Sequence, residues 1–519
     1  MNTTEFLTIT SAVVPDRTAT IFEGHRQSYG ELQERVIRLA NALADLGVGQ
    51  GDRVGTIHVN CPQHIETYFA SAMLDAMYVP VNFRVRADEL TYMLNNAAPK
   101  VMFVGARYVD LVQSVASQVE SVRQYVALEE EESPWPSYEE LLASASAEER
   151  SPQADEDDST IILFTAGTTG EPKGVMLTHK SFSSYILSSV PPVDPEVEER
   201  NILTVPLHHV AGIQAVLSAV YSGRSLILQR QFEPKEWMDL VQSERANRAM
   251  IVPTMLKQLL DHPEFHQHDL SSLEVITYGA APMPVPVIRR AIQDLPGVHF
   301  INAFGQTETA STITMLPPED HVLEGSPEEV ELKLKRLASI GKPLDDVEVC
   351  IVDDAGDDVS VGETGEIVAR GERLMKGYWG NEAATRETVR NGWLYTGDLG
   401  YFDEDGYIFL SGRAKDFIKR GGEMIAPEEV EQVLHAHHAV EEAAIIGVPD
   451  EHWGERVRAV VVAKPEQRVT EEDLIEYCRE RLASFMRPVS VVFVGELPRN
   501  LLGKVLKRVL REQHSDPVK

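Results

Sequence analysis

The sequence predicts an α/β fold: a large N-terminal domain of α/β sheets carrying a β-rich subdomain, then a small α+β C-terminal domain. Three observations carry this. At 519 residues the chain exceeds what one ordinary hydrophobic core accommodates. Through roughly its first 300 residues, short apolar runs alternate with helix-period segments, the pattern of strands joined by crossover helices. Near residue 340 the texture changes to short strands with Gly/Asp turns, and after "GRAKD" to a compact module of about 100 residues.

Each element has its own signal. In residues 28–48, Leu32, Val36, Leu39, Ala40, Leu43 and Leu46 share one helical face. "RVGTIHV" (53–59) and "YVPVNF" (78–83) read as buried strands flanking the helix "HIETYFASAMLDA", and "KVMFVG" (100–105) follows as another strand. Residues 127–157 are acidic and poor in large apolar side chains, which predicts a surface excursion, helical at Tyr138 to Ala145. Strands resume at "SLILQ" (225–229), "RAMIVP" (248–253), "LEVITYG" (273–279) and "VHFINAFG" (298–305). "VEVCIVDDAG" and "GEIVARG" supply the β-rich subdomain. The terminal module reads helix "APEEVEQVLHAHH", strands "VEEAAIIGV" and "RVRAVVVA", helix "TEEDLIEYCRERL" and strand "SVVFVGELP".

Composition excludes several classes. With 43% hydrophobic and 25% charged residues the chain is an ordinary globular protein. A net charge of −33 argues against a nucleic-acid or anionic-membrane binder, so an anionic ligand has to be held by local donors. No apolar run reaches the length of an integral membrane segment, and "MNTTEFLTIT" predicts no secretory leader. Cys61, Cys350 and Cys478 are far apart with no CxxC. That predicts neither a disulfide framework nor a zinc site, and a cytoplasmic location.

The chemistry begins at "LFTAGTTGEPKGVMLTH", residues 163–179, read as a phosphate-binding turn between an apolar run and a helix. Gly167, Gly170 and Gly174 free backbone N–H groups to cradle phosphate oxygens. Thr165, Thr168 and Thr169 add hydroxyl donors and Lys173 a mobile cation. Gly170 is followed by Glu171 and Pro172, which excludes the Walker arrangement. His208 and His209 in "PLHHVAG" are adjacent, so their side chains point apart, and no third ligand follows; a metal pair is not predicted.

"TAGTTGEPKGVMLTH" resembles the signature of the adenylate-forming superfamily, which includes acyl-CoA synthetases, peptide-synthetase adenylation domains and beetle luciferases. "PLHHVAG" (206–212), "TYGAAPMP" (277–284), "NAFGQTET" (302–309), the run 392–431 and "PRNLLGKVLKR" (498–508) match later family motifs in order and spacing. The resemblance covers residues 165–508 and points to the acyl-CoA synthetase branch.

The resemblance implies a division into residues 1–414, a large ATP- and acid-binding domain, and 415–519, a small mobile domain with its hinge at Lys415. Thr165, Ala166, Gly167, Thr168, Thr169, Gly170 and Lys173 would hold the β- and γ-phosphates. Glu308 would hold Mg²⁺, and Thr307 would donate to the α-phosphate. Gly279, Ala280 and Ala281 would approach the purine edge, with Asn302 nearby and the ring of Phe304, where the family more often has Tyr, against adenine. Asp398 would clamp the ribose with help from Arg413. Lys504 would be the mobile catalytic lysine, and Gly421, Gly422 and Glu423 would line the pantetheine path of coenzyme A. Met424 stands where family members commonly carry Asn. His209 would lie near the substrate carboxylate, with Val210, Gln214, Tyr278, Gly279 and Gly305 around the acid, while His208 replaces a common Phe.

The implied reaction is ATP-dependent: acyl-adenylate formation, then thioester formation with CoA, releasing pyrophosphate and AMP. A medium- or long-chain fatty acid is the first expectation for the acid. An aryl or alicyclic acid, or loading of a carrier protein, is the alternative. The implied partners are therefore a carboxylic acid, ATP and CoA, with a homodimer as the default oligomer.

Overall fold

A computed structural model of the chain describes residues 1–129, 133–165, 171–413, 416–420, 423–450, 453–465, 467–499 and 505–515, with the backbone alone at 413, 423 and 424. Among these residues four sheets form. The first runs, by strand, Lys342–Pro343, Ser311–Leu316, His299–Gln306, Val275–Gly279, Arg248–Ile251, Arg200–Leu203, Ser225–Leu228, Thr18–Phe22, His25–Ser28. Its central strands are parallel and its edges antiparallel. The second has the order Gly377–Tyr378, Lys173–Thr178, Ser159–Thr165, Met77–Val81, Arg53–Ile57, Val101–Val104, Gln124–Ala127, again parallel at its centre. Parallel strands are covered on both faces by crossover helices, which is why they read as near-continuous apolar runs.

The helix Tyr29–Asp45 illustrates how the sequence sets these elements. Ser28 Oγ accepts from the Glu31 N–H at 3.1 Å, and Glu31 Oε2 accepts from the Ser28 N–H at 2.7 Å, a closed capping box. Leu32, Val36, Leu39, Ala40 and Leu43 are buried along one face, as their spacing predicts. The acidic excursion carries the helix Tyr138–Ser144, anchored by Arg35, whose guanidinium pairs with both Glu66 and Glu139.

The third sheet is antiparallel, with Val347–Val352, Gly365–Gly371, Trp393–Phe402 and Val389–Arg390 in order and Ile408–Arg413 also on Trp393–Phe402. The fourth joins Glu423–Ile425, Ile418–Arg420, Gly454–Ala463 and Val440–Asp450, with Ser490–Phe493 parallel to Gly454–Ala463. Its core, including Ile418, Leu434, Ile445, Val457 and Leu474, is drawn from this C-terminal segment alone. No helix among the described residues is long and apolar enough to cross a membrane.

Candidate active site

The expected site segments gather immediately beyond the carboxyl ends of parallel strands. Residues 204–209 follow Arg200–Leu203, 280–281 follow Val275–Gly279 and 307–308 follow His299–Gln306, while Thr165 itself ends Ser159–Thr165. Open α/β sheets bind ligands at these ends, where loops leave the sheet and backbone groups are unpaired.

The phosphate segment differs from its expectation. Lys173–Thr178 is a strand, paired antiparallel to Ser159–Thr165 with Thr165 opposite Lys173, and the helix begins only at His179. The described residues after the Gly/Thr-rich stretch therefore continue as a strand before the helix, where the sequence predicts a direct passage into the helix. Val175 and Leu177 face the core while the register keeps Thr165 and Lys173 at the mouth. Residues 166–170 lie outside the described residues, as do Lys415, Gly421, Gly422 and Lys504, and for Arg413, Glu423 and Met424 the backbone alone is described.

Thr307 and Glu308 sit in the short 3-10 helix Thr307–Thr309. Tyr378 donates its hydroxyl to Glu308 Oε1 at 2.9 Å, and its ring lies under Lys173 Nζ at 4.9 Å from the centroid. The Met375 N–H donates to the Glu308 carbonyl at 2.8 Å, fixing the backbone as well. No described residue donates to Glu308 Oε2, so one carboxylate oxygen is oriented and the other is open. This donor set fits Mg²⁺, a hard cation usually held by one or two carboxylates together with phosphate oxygens. Among the described residues no cluster of three or more His, Cys, Asp or Glu forms an all-protein metal cage.

The segment expected at the purine edge is built on close backbone approach. A Cβ on Gly279 would lie 2.1 Å from the Ala303 carbonyl oxygen, and one on Gly305 1.6 Å from that of Ser311. Ala280, Ala310 and Ser311 have φ of 67°, 47° and 83°, left-handed values that are strained for residues with a Cβ. Asn302 is buried and donates to the Ser339 carbonyl at 3.1 Å. Phe304 packs one side against Ile340, Ile351, Ile367 and Ile408 of the β-rich subdomain. Asp398 is buried, and the strand register sets it directly opposite Arg413.

The residues expected around the acid divide in two. His209 caps the helix Val210–Tyr221, and burial pushes its imidazole down to about 4. Burial also holds His208 well below its ordinary value, with His209, His64 and Arg84 reinforcing the shift, so both rings are neutral at pH 7. The Nε2 atoms of both, and Oε1 of Gln214, are buried without a hydrogen-bond partner among the described residues. Gln214 uses its amide nitrogen on Ser218 Oγ at 3.2 Å. Val210 and Tyr278, expected around the acid, are buried among the two main cores. The Tyr278 hydroxyl is engaged with His321 Nε2 at 2.9 Å. The period of two along Val275–Gly279 sends Tyr278 to the same buried side as Ile276.

A cleft of about 710 Å³ opens nearby, lined by Phe83, Arg84, Arg230 and Lys257 and, from the C-terminal segment, Glu442 and Arg499. Lys257 pairs with Glu441 across this boundary, and Arg499 pairs with Glu442 at 2.7 Å. The Tyr378 contact was not anticipated from the sequence. It joins residues 70 positions or more apart through strand pairing, and no local spacing announces it.

Residues 8–379 match the AMP-binding enzyme family, and residues 429–504 match the AMP-binding enzyme C-terminal domain. The chain belongs to this ATP-dependent, adenylate-forming family. Within it the chain falls in the acyl-CoA synthetase branch, AMP-forming acid–thiol ligases. It is 34% identical to a long-chain-fatty-acid–CoA ligase, FadD13 of Mycobacterium tuberculosis, over 95% of this chain and 94% of that one. It is 35% identical to a feruloyl-CoA synthase of an Amycolatopsis species, over 96% of each. The solved structure of ATP-bound MatB from Rhodopseudomonas palustris superposes with a TM-score of 0.88 at 30% identity, covering 99% of both chains.

Proposed function

We propose that the chain activates a medium- or long-chain fatty acid as its acyl-adenylate and transfers the acyl group to the thiol of CoA. The observation that carries the ATP-dependent part of this reading is the convergence of Lys173 and Glu308 on one side chain. A cation for the polyphosphate and a carboxylate for its counter-ion are thereby held together through Tyr378. In the first half-reaction a carboxylate oxygen attacks the α-phosphorus, and pyrophosphate leaves past Thr165 and Lys173. Bound Mg²⁺ on Glu308 would neutralise charge on the phosphate oxygens. Lys504 attends the forming bond, and rotation about Lys415 then brings the 421–423 segment to the site. In the second half-reaction the thiol attacks the acyl carbonyl and AMP departs.

The cleft between the large domain and the C-terminal segment supports CoA as acceptor. Arg84, whose guanidinium lies over the Phe83 ring at 5.6 Å, forms no ion pair among the described residues and is exposed to meet a phosphate. The net charge of −33 disfavours docking of an acidic carrier protein, since like charges repel at encounter. A second reading, an aryl or alicyclic acid bearing a polar substituent, has its own support. An alkyl chain leaves His208 Nε2 and Gln214 Oε1 unsatisfied, whereas a hydroxyl or keto group pairs with them. Pyrophosphate release measured over alkanoic, hydroxyalkanoic and aryl acids, with CoA or a carrier protein as acceptor, separates these readings. Turnover with no acid in the panel contradicts all of them.

A further inference from the structure

Tyr378 stands where three distant segments cross. The strand Gly377–Tyr378 pairs with Val175 and Met176 of the phosphate hairpin. On either side, the Lys376 N–H donates to the Met176 carbonyl at 2.9 Å and the Trp379 N–H to the Gly174 carbonyl at 2.7 Å. The Tyr378 N–H donates to Thr385 Oγ1 at 2.9 Å. The backbone is thus fixed at four consecutive residues, and the side chain is 7% exposed. A tyrosine held only for packing finds any nearby acceptor for its hydroxyl. This one donates to the carboxylate that the site offers a metal, while its ring takes the ammonium that the site offers phosphate.

The two contacts leave the working groups free in complementary ways. A hydroxyl donated to Glu308 Oε1 removes one oxygen and fixes the carboxylate plane, directing Oε2 outward. A ring beneath Lys173 attracts the cation through its face, and the N–H donors not turned toward the ring stay available for phosphate oxygens. Glu308 and Lys173 are 135 residues apart in sequence, and Tyr378 is the side chain that both touch.

We propose that Tyr378 is the positioning residue that holds the Glu308 carboxylate and the Lys173 ammonium in one fixed relation, and so sets where a divalent metal–triphosphate is gripped. This rests on the ATP-dependent reading above. The test compares wild type, Tyr378→Phe and Tyr378→Leu in the full chain, using Mn²⁺ and the non-hydrolysable α,β-methylene analogue of ATP. Mn²⁺ affinity is followed by electron paramagnetic resonance, and metal-free nucleotide affinity by calorimetry in EDTA. Tyr378→Phe should weaken Mn²⁺ about 10-fold, as loss of an outer-shell partner does, while leaving metal-free nucleotide affinity and Tm unchanged. Tyr378→Leu should weaken both, because the ring under Lys173 is gone. Unchanged Mn²⁺ affinity in Tyr378→Phe overturns the proposal. So does parallel loss of Mn²⁺ affinity, nucleotide affinity and Tm in that variant, which marks a packing role. If wild type binds Mn²⁺–nucleotide but no acid supports pyrophosphate exchange, the ligase reading fails while the binding comparison still decides Tyr378.

Discussion

Gly279→Ala puts the proposed purine wall to a quantitative test. Gly279 ends a parallel strand with Ala303 directly beside it, and an added Cβ would lie 2.1 Å from the Ala303 carbonyl oxygen. The obstacle is backbone, which cannot swing aside as a side chain tip does. Separation to ordinary contact requires the strands Val275–Gly279 and His299–Gln306 to part by more than about 1 Å, a distortion on the scale of severe overpacking, about 2–3 kcal/mol. The same displacement moves Ala280 and Ala281 and, through the neighbouring strand, Thr307 and Glu308. A shift of about 1 Å in positioning groups lowers turnover about 100-fold. Urea unfolding gives the first number, and ATP-dependent pyrophosphate exchange gives the second. Gly297→Ala is the control: its φ of 87° brings backbone strain, but no atom lies within 4 Å of the new Cβ. It should lose about 1 kcal/mol and little activity. If Gly279→Ala matched Gly297→Ala in both assays, the close-approach argument would be wrong.

Acid should destabilise the protein steeply. Burial lowers His64 to about 3 and His179, His209 and His321 to about 4, with His208 also well below its ordinary value. Their folded values are depressed, so their stability is present above the unfolded imidazole value and lost as pH falls toward the folded values. Once the unfolded imidazoles are protonated, five such groups give a slope of up to about 7 kcal/mol per pH unit; a flat urea midpoint from pH 6.5 to 5 would count against the buried histidines. Arg373 is fully buried, bonded to Asp346 and to the Thr312 carbonyl, so Arg373→Met should lose about 3–5 kcal/mol. Adding Asp346→Leu should recover part of that loss, and no recovery would show that the unpaired carboxylate is not its source. Lys504→Ala should cripple adenylate formation while sparing thioester formation from synthetic acyl-AMP, and equal loss in both half-reactions would contradict its assignment. Lys415→Pro should spare pyrophosphate exchange and block thioester formation; loss of exchange as well would refute the hinge.

Much of the fold was legible because periodicity and caps act locally. The helix Tyr29–Asp45 and the strands Val101–Val104 and Val275–Gly279 follow from spacing and apolar runs that any register preserves. Local pattern alone makes Lys173–Thr178 part of a turn before a helix, whereas its pairing with Ser159–Thr165 decides its state. The two-residue strand Gly377–Tyr378 exists only through its pairing with the hairpin. In the site, motif order placed Glu308, Lys173 and the Gly279–Ala281 segment near one another. Adjacency to a motif does not reveal how far a side chain is buried, as Val210 and Tyr278 in the two main cores illustrate. The Tyr378 junction depends on contacts from residues 173 and 308, a fact of topology that local pattern does not encode.

The central claim is a two-step activation of a carboxylic acid through an adenylate. Its most direct test is a single-turnover experiment with α-labelled ATP, Mg²⁺ and the acid panel, quenched before and after CoA is added. Enzyme-bound acyl-AMP with an equal amount of pyrophosphate is expected before CoA, then AMP and acyl-CoA in equal amounts after it. ADP and phosphate as products, or acyl-CoA formed with no acyl-AMP preceding it, would contradict the account.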